Sequence, residues 1–390
     1  MKNVNYLLLV AFVSSFLNFS PVVADGGVRK IVVWKDGVDG FGGVEKDNLI
    51  KKHGGAKHKD LDIVNGSVVS LSNEAVADLL KKNPKVLRVD DDVEVFTLAK
   101  SNVSAQAVQV LPWGIDRVDA ELVWPTGNNA NPIKVAVIDT GISKDHPDLK
   151  NNIKGGVNTI NSRKSWNDDN GHGSHVAGII GAVNDAYGVV GVAPLVDLYA
   201  VKVLSASGSG YLSDVIEGLQ WSATNGMKVA NMSLGTSSDI QSFHDAVIAA
   251  RNAGVVLVAA AGNSGAAVGF PAAYSEVIAV SATDSNNNLA SFSSRGPEVD
   301  LAAPGVSIFS TYKGSNYATL SGTSMASPHV AGSAALVLNT SVGAYDLDAD
   351  GLWDPVEVQN KLQGKSVDLG VAGFDNLFGW GLVNAWNAVQ

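Results

Sequence analysis

Three side chains that together can run acyl transfer are spread along the sequence: a carboxylate at Asp139, an imidazole at His172 and a hydroxyl at Ser324. In such chemistry the imidazole takes the serine proton as general base and later protonates the leaving group. The carboxylate fixes the imidazole tautomer and stabilises the imidazolium. Each group sits among small residues: Asp139-Thr140-Gly141, then His172-Gly173-Ser174-His175-Val176-Ala177-Gly178, then Gly322-Thr323-Ser324-Met325-Ala326-Ser327-Pro328. Behind Ser324 the apolar run Val330 to Leu338 reads as a buried helix, with Pro328 expected in its first turn, where a missing N–H costs little. Ser324 then stands at a helix N-terminus, where free N–H groups and the helix dipole favour the oxyanion its attack creates.

The elements that must position these groups begin near Pro112. Apolar strands at Lys134–Ile138, Asp197–Val203, Val229–Ser233, Val255–Ala260 and Val277–Val280 alternate with helices at Val176–Val183, Tyr211–Asn225 and Ser242–Ala253. Continuous apolar strands alternating with helices imply a parallel sheet covered on both faces. Asp139 follows the first of these strands and His172 opens a helix, so the three groups gather at the carboxyl edge of the sheet, where sites form in such folds. Upstream, a separate small unit reads as strand Lys30–Trp34, helix Asp47–His53, strand Ile63–Leu71, helix Ser72–Lys82 capped by Ser72 or Asn73, and strand Val86–Val95, suggesting a βαββαβ arrangement. The polar stretch Lys100 to Gln106 reads as an exposed linker.

The order Asp, His, Ser with these three motifs resembles the subtilisin-like serine proteases. The resemblance runs from about Gln109 to Val389, and Arg29 to Leu98 resembles that family's inhibitory propeptide. It implies a secreted, autoprocessed serine endopeptidase. Rival readings fit less well. An aspartic protease needs a second Asp-Thr-Gly or Asp-Ser-Gly, and none exists. A lipase-type Gly-x-Ser-x-Gly elbow fails because Ala326 holds its last place. His175, three residues after His172, allows a metal pair on spacing alone, but a helix histidine satisfied in the core is the simpler expectation. A non-catalytic binding protein on the same scaffold would show a lost triad member or a lost Asn263, and none is lost.

From the same resemblance, Asn263 is expected to donate to the oxyanion together with the Ser324 N–H; taken alone, Asn263-Ser264-Gly265 also reads as a turn. Ser207-Gly208-Ser209-Gly210 and Ser233-Leu234-Gly235 are expected to flank an extended peptide. Gly235, Gly262 and Gly269 would line the first specificity pocket. Ser264 stands where several relatives carry an acidic residue, so an apolar or aromatic preference is expected. Val95-Phe96-Thr97-Leu98 is expected to lie in the cleft, with Leu98–Ala99 as the cleaved bond, although Gln109 matches the family's mature start. Gln109, Asp148, Val183, Asp185, Tyr187 and Val189 match its tight calcium site.

A second calcium site is read from the residues themselves. Asp346-Leu347-Asp348-Ala349-Asp350-Gly351-Leu352-Trp353-Asp354-Pro355-Val356-Glu357 fits a twelve-residue EF-hand loop, with ligands from Asp346, Asp348, Asp350, the Leu352 carbonyl, Asp354 and Glu357. The family pattern lacks this loop.

Composition agrees. The 390 residues are 46% hydrophobic and 17% charged, so a large core is affordable; the net charge of −10 argues against a nucleic-acid partner. Cysteine is absent, which excludes disulfides and leaves packing and bound metal as sources of stability. Lys2, the apolar run Tyr6–Leu17 and Val22-Val23-Ala24 have the layout of a signal peptide, too short for a membrane span. The expectation is thus an α/β protein with a three-layer parallel sheet preceded by a small ferredoxin-like α+β unit: signal peptide 1–24, propeptide 25–98, linker and mature N-terminus 99–110, peptidase domain 111–390. It should be an extracellular monomer binding at least two structural calcium ions, without a membrane anchor, acting on proteins and inhibited by its own propeptide. A neutral His172 is needed as base, so activity should rise through roughly pH 6–8. Met325 is oxidation-sensitive if exposed.

Overall fold

The computed structural model describes residues 27–37, 42–104 and 108–390. The expected signal peptide lies outside them, and no described helix is long and apolar enough to cross a membrane.

The first unit is built from β1 (Val28–Trp34), α1 (Gly43–Lys52), β2 (Ala56–Leu61), β3 (Gly66–Leu71), α2 (Glu74–Lys81) and β4 (Val86–Asp91). Its strands form an antiparallel sheet in the order β2-β3-β1-β4, the ferredoxin-like arrangement. Strand alternation splits its apolar residues between two faces. Val32, Trp34, Val69 and Leu71 pack with Ile50, Ala77 and Leu80 of the unit's own helices. Ile31, Val33 and Val68 point the other way and join the core of the larger unit. Asn73 caps α2 by accepting from the Val76 N–H at 3.2 Å.

Then come β5 (Glu94–Thr97), β6 (Lys100–Ser104) and α3 (Trp113–Arg117), followed by the main α/β unit. Its elements are β7 (Lys134–Asp139), β8 (Ile153–Asn158), α4 (His172–Gly181), β9 (Asp197–Lys202), β10 (Ser209–Tyr211), α5 (Leu212–Thr224), β11 (Val229–Met232), β12 (Leu234–Gly235), α6 (Gln241–Asn252), β13 (Val256–Ala260), β14 (Ile278–Thr283), β15 (Leu301–Pro304), β16 (Ile308–Thr311), β17 (Tyr317–Ser321), α7 (Thr323–Leu338), α8 (Pro355–Gly364) and α9 (Ala385–Val389). Seven strands form one parallel sheet, ordered β15-β14-β13-β11-β7-β9-β8. Val135 and Val137 of β7 face α4 and α7, while Ala136 and Ile138 face α5 and α6. This is the expected three-layer fold.

Several expectations need correction. The strand read at Ile63–Leu71 starts at Gly66, after a short 3-10 turn at Asp62–Val64. The stretch Val86–Val95 splits, because β5 leaves the first sheet and enters the cleft. Residues 100–104 do not form an irregular linker: as β6 they pair antiparallel with β17, supplying an edge that β16 alone leaves open. Pro328 is not in the first turn. α7 starts at Thr323, so Pro328 is its sixth residue.

Candidate active site

Asp139 ends β7 and is fully buried. Its two oxygens accept from Nδ1 of His172, the first residue of α4, at 2.8 and 2.9 Å. With Nδ1 carrying the proton, Nε2 is the acceptor. Nε2 is buried and has no hydrogen-bond partner among the described residues. Ser324, the second residue of α7, is buried and donates its hydroxyl to the Ser233 carbonyl at 3.0 Å. An imidazole nitrogen with a free lone pair and a serine hydroxyl at a helix N-terminus therefore share the carboxyl edge of the sheet. The hydroxyl must turn from Ser233 towards Nε2 to lose its proton.

The turn before α4 is held by Asp168, which the sequence reading passed over. Its Oδ1 accepts from the Thr140 hydroxyl at 2.9 Å and from the N–H groups of Asn170 and Gly171. Its Oδ2 accepts from the Ser174 N–H and hydroxyl. Thr140 also accepts from the Gly173 N–H, which ties the Asp139 strand to the His172 helix. Gly171 is required here, since it has φ of 116° and a Cβ would come within 2.4 Å of the Tyr312 ring. His175 is the core histidine expected. Its Nε2 reaches the carbonyls of Ile308 and Ala318, and burial pushes it down to about 3. Met325 is fully buried, so the condition for oxidation is not met.

The carbonyl of Leu98 lies over the start of α7. Asn263 Nδ2 donates to it at 2.6 Å. A Cβ on Gly322 would come within 2.2 Å of the same oxygen, so only glycine allows this approach. Asn263 is itself oriented: its Oδ1 accepts from the Thr323 N–H and hydroxyl, both at 2.9 Å. Thr323 is a second positioning residue the sequence reading missed.

Leading into Leu98, β5 is the middle strand of a three-stranded sheet. Phe96 is opposite Ser209 on one side and Gly235 on the other; Thr97 is opposite Leu234, and its N–H donates to the Gly208 carbonyl at 2.9 Å. The two expected edge segments thus hold the chain's own residues 94–97. Val95 is buried and Phe96 is 47% exposed. A Cβ on Gly235 would touch the Leu98 side chain. Gly262 and Gly269 are neighbours in the same corner, and Ser264 bonds the Ser294 hydroxyl.

The first unit grips α5 and α6 by charge. Asp92 accepts from the N–H and hydroxyl of Ser213 at the start of α5. Asp90 accepts from the Ser242 N–H at the start of α6. Both carboxylates meet helix N-termini, where negative charge is favoured. Arg29 pairs with Asp92, Arg88 with Asp245, and Lys59 with Asp214 and Glu217. Burial pushes the Asp214 carboxyl up, against the pull of Lys59.

Two acidic places could hold a cation. Oxygens of Asp346, Asp348 and Asp350 converge within 4.8 Å of one another. The Asp354 carboxyl is held above its ordinary value by burial and then by Asp348, Glu357 and Asp350, strain that a divalent cation would relieve. The Glu357 oxygens accept from the N–H groups of Leu347 and Asp354, at 2.6 and 2.9 Å, closing the loop and capping α8. Leu352 donates its N–H to Asp350. In the second place, Asp148 is fully buried and lacks a cationic partner among the described residues. It accepts from the Val189 N–H and the Tyr317 hydroxyl, and burial raises its carboxyl. Gln109 donates to the Val183 carbonyl at 3.3 Å, and Asp185 accepts from the Tyr187 N–H. Both donor sets are all oxygen, as calcium prefers.

Residues 130–381 match the Subtilase family. This chain is a subtilase. It is 48% identical over 323 residues to an alkaline protease of Shouchella clausii, covering 83% of this chain and 78% of the relative. It is 51% identical over 283 residues to Subtilisin Savinase of Lederbergia lenta, covering 72% of this chain and all of the relative. Subtilisin amylosacchariticus of Bacillus subtilis subsp. amylosacchariticus is 38% identical over 394 aligned positions, covering 99% of this chain and 97% of that protein. The subtilase is accordingly a serine endopeptidase of the subtilisin type.

Proposed function

We propose that this subtilase is an exported precursor that cuts its own Leu98–Ala99 bond and becomes a calcium-stabilised endopeptidase of broad specificity. Ser324 is the nucleophile, His172 the general base and then acid, and Asp139 the group that orients and stabilises the imidazolium. Asn263 stabilises the oxyanion. Residues 25–98 are the propeptide, inhibitory in cis until it leaves. The observation that carries this reading is the 2.6 Å hydrogen bond from Asn263 to the Leu98 carbonyl, with residues 94–97 laid between the two edge segments as a substrate would be. Attack by Ser324 Oγ on that carbonyl carbon moves its proton to His172 Nε2 and the C=O electrons onto oxygen. Collapse breaks the bond to Ala99, whose nitrogen takes the proton; water then repeats the cycle on the acyl-enzyme.

The bare glycine-lined corner around Leu98 supports an apolar or aromatic preference before the scissile bond. Asp346, Asp348, Asp350 and Asp354 would hold one calcium ion, with the Leu352 carbonyl and Glu357 closing the loop. Gln109, Asp148, Asp185 and the carbonyls of Val183, Tyr187 and Val189 would hold the other. Each ion would supply charge neutralisation and a cross-link between chain segments, with no part in the bond-breaking steps. The processed enzyme is a secreted monomer. Labelling with a fluorophosphonate tests the assignment: the adduct should map to the Ser324 peptide and disappear in His172→Ala. An adduct elsewhere, or one indifferent to His172, would overturn it.

A further inference from the structure

We propose that Lys202 is a positioning residue for the reaction, its ammonium locking together the end of the Asp139 strand, the turn before His172 and the root of the peptide-binding edge. This rests on the roles given above to Asp139, His172 and Ser324. Lys202 ends β9 and is opposite Asp139 in the parallel register. Leu198 and Ala200, on the same side of the strand, enter the core with Val176 and Ala177 of α4. Lys202 continues that buried side and is 4% exposed. An ammonium there carries a desolvation cost that an apolar side chain would not. Three hydrogen bonds offset it, one for each N–H.

Lys202 Nζ donates to the Thr140 carbonyl at 2.7 Å, to Asp169 Oδ1 at 2.7 Å and to the Leu204 carbonyl at 2.9 Å. Each acceptor belongs to a different part of the site. Thr140 donates its N–H to Asp139 Oδ1 at 2.7 Å. Asp169 precedes Asn170, whose Oδ1 accepts from the His172 N–H and whose Nδ2 donates to the Ala206 carbonyl. Leu204 precedes the turn that Ser205 closes on Ser209, which presents the Gly208 carbonyl to Thr97. The carboxylate, the imidazole helix and the peptide edge thus meet at one ammonium. It also sets a charge near His172, because it opposes a positive charge on the imidazole while Asp169, half-exposed, offsets it. The other charged side chains bonded into this corner are Asp139, Asp168 and Lys313, whose ammonium reaches the Asp169 carbonyl at 3.5 Å. His175, one turn along α4, is kept neutral by burial.

Kinetics of the calcium-loaded, processed enzyme beside Lys202→Met, Lys202→Arg and Asp169→Asn test this. One substrate is a tetrapeptide anilide that spans the edge, the other a one-residue ester that does not. Urea midpoints in a Ser324→Ala background establish that each variant is folded at the assay temperature. In Lys202→Met, kcat should fall about tenfold on both substrates, and KM should rise about threefold on the tetrapeptide alone. At low salt the acid limb of kcat/KM should move up by about half a pH unit in Lys202→Met and down by about as much in Asp169→Asn. Lys202→Arg keeps the charge but its planar fork cannot reach three divergent acceptors, so the limb should stay in place while kcat recovers only in part. A lysine that merely fills space would lower activity without moving the limb in opposite directions. An unchanged kcat in Lys202→Met, or limbs that move together or not at all, overturns the proposal. Should Lys202→Met fail to fold, the limb of Asp169→Asn decides. Failure of the wild type to turn over either substrate would instead strike the catalytic reading itself.

Discussion

Pro328 lies four residues after Ser324 in α7, so the Ser324 carbonyl has no helical N–H to accept from and takes the Ser233 hydroxyl instead, at 2.8 Å. Ser233 is held in turn by Asn231, whose Oδ1 accepts from Ser327. The Ser324 backbone is thereby pinned to the end of β11 by side chains. Ser233→Ala should cost about 1–3 kcal/mol through the orphaned carbonyl. Adding Pro328→Ala restores an N–H four residues on and should recover most of it. Urea midpoints in a Ser324→Ala background, which cannot digest itself, measure both; no loss in Ser233→Ala would refute the pinning.

Asn263→Ala removes the donor from the Leu98 oxygen. Turnover should fall by about 10²–10³, the size known from subtilisin when such a donor is removed, with little change in KM. Thr323→Val should act on the same step more weakly, about tenfold, because it only orients Asn263. A KM effect with unchanged kcat in either variant would point to ground-state binding instead.

The stability of the fold should fall on acidification below about pH 6.5. His175 and His329 are fully buried, and burial lowers them to about 3 and about 4. Below 6.5 the unfolded chain binds protons that the folded histidines refuse, so each costs about 1.4 kcal/mol per pH unit down to its folded value. Asp300 runs the other way. Burial raises it to about 6, so it recovers stability as pH falls from 6 towards its ordinary range. Its hydrogen bonds from Gln359 and Gln363 hold α8 to the sheet. Urea midpoints of Ser324→Ala at pH 7 and 4.5 should drop, and more steeply with Asp300→Asn. A flat profile would contradict the neutral buried histidines.

Calcium should add stability with the logarithm of its concentration above the dissociation constant, about 2.7 kcal/mol for a site at a hundred times that constant. Asp346→Asn with Asp348→Asn should abolish the part owed to the 346–357 loop and leave the part owed to Asp148. A calcium titration of thermal midpoints, again on Ser324→Ala, reads this directly. Identical titrations for variant and parent would sink the loop as a site.

The proposed chemistry could be read along the chain because its residues stand in local patterns. Asp139 ends an apolar strand, His172 opens a helix, and the carboxylates of the 346–357 loop repeat every second residue. What stayed hidden depends on distant partners. β6 is polar and finds its strand only by pairing with β17, more than 200 residues away. β2 has only Leu61 buried, so its sequence carries little strand signal. Asp168 gains its role from Thr140, Asn170, Gly171 and Ser174, contacts that no local pattern announces. Pro328 was placed too early because the helix starts at Thr323, before its apolar run.

Self-cleavage is read most directly by the intact mass of calcium-loaded protein, wild type beside Ser324→Ala. Wild type should yield a fragment ending at Leu98 and a chain beginning at Ala99 or beyond, while Ser324→Ala keeps the two joined. Equal cleavage of both proteins, or a wild type left whole while its fold is intact, would contradict Ser324 as the nucleophile that cuts its own leader.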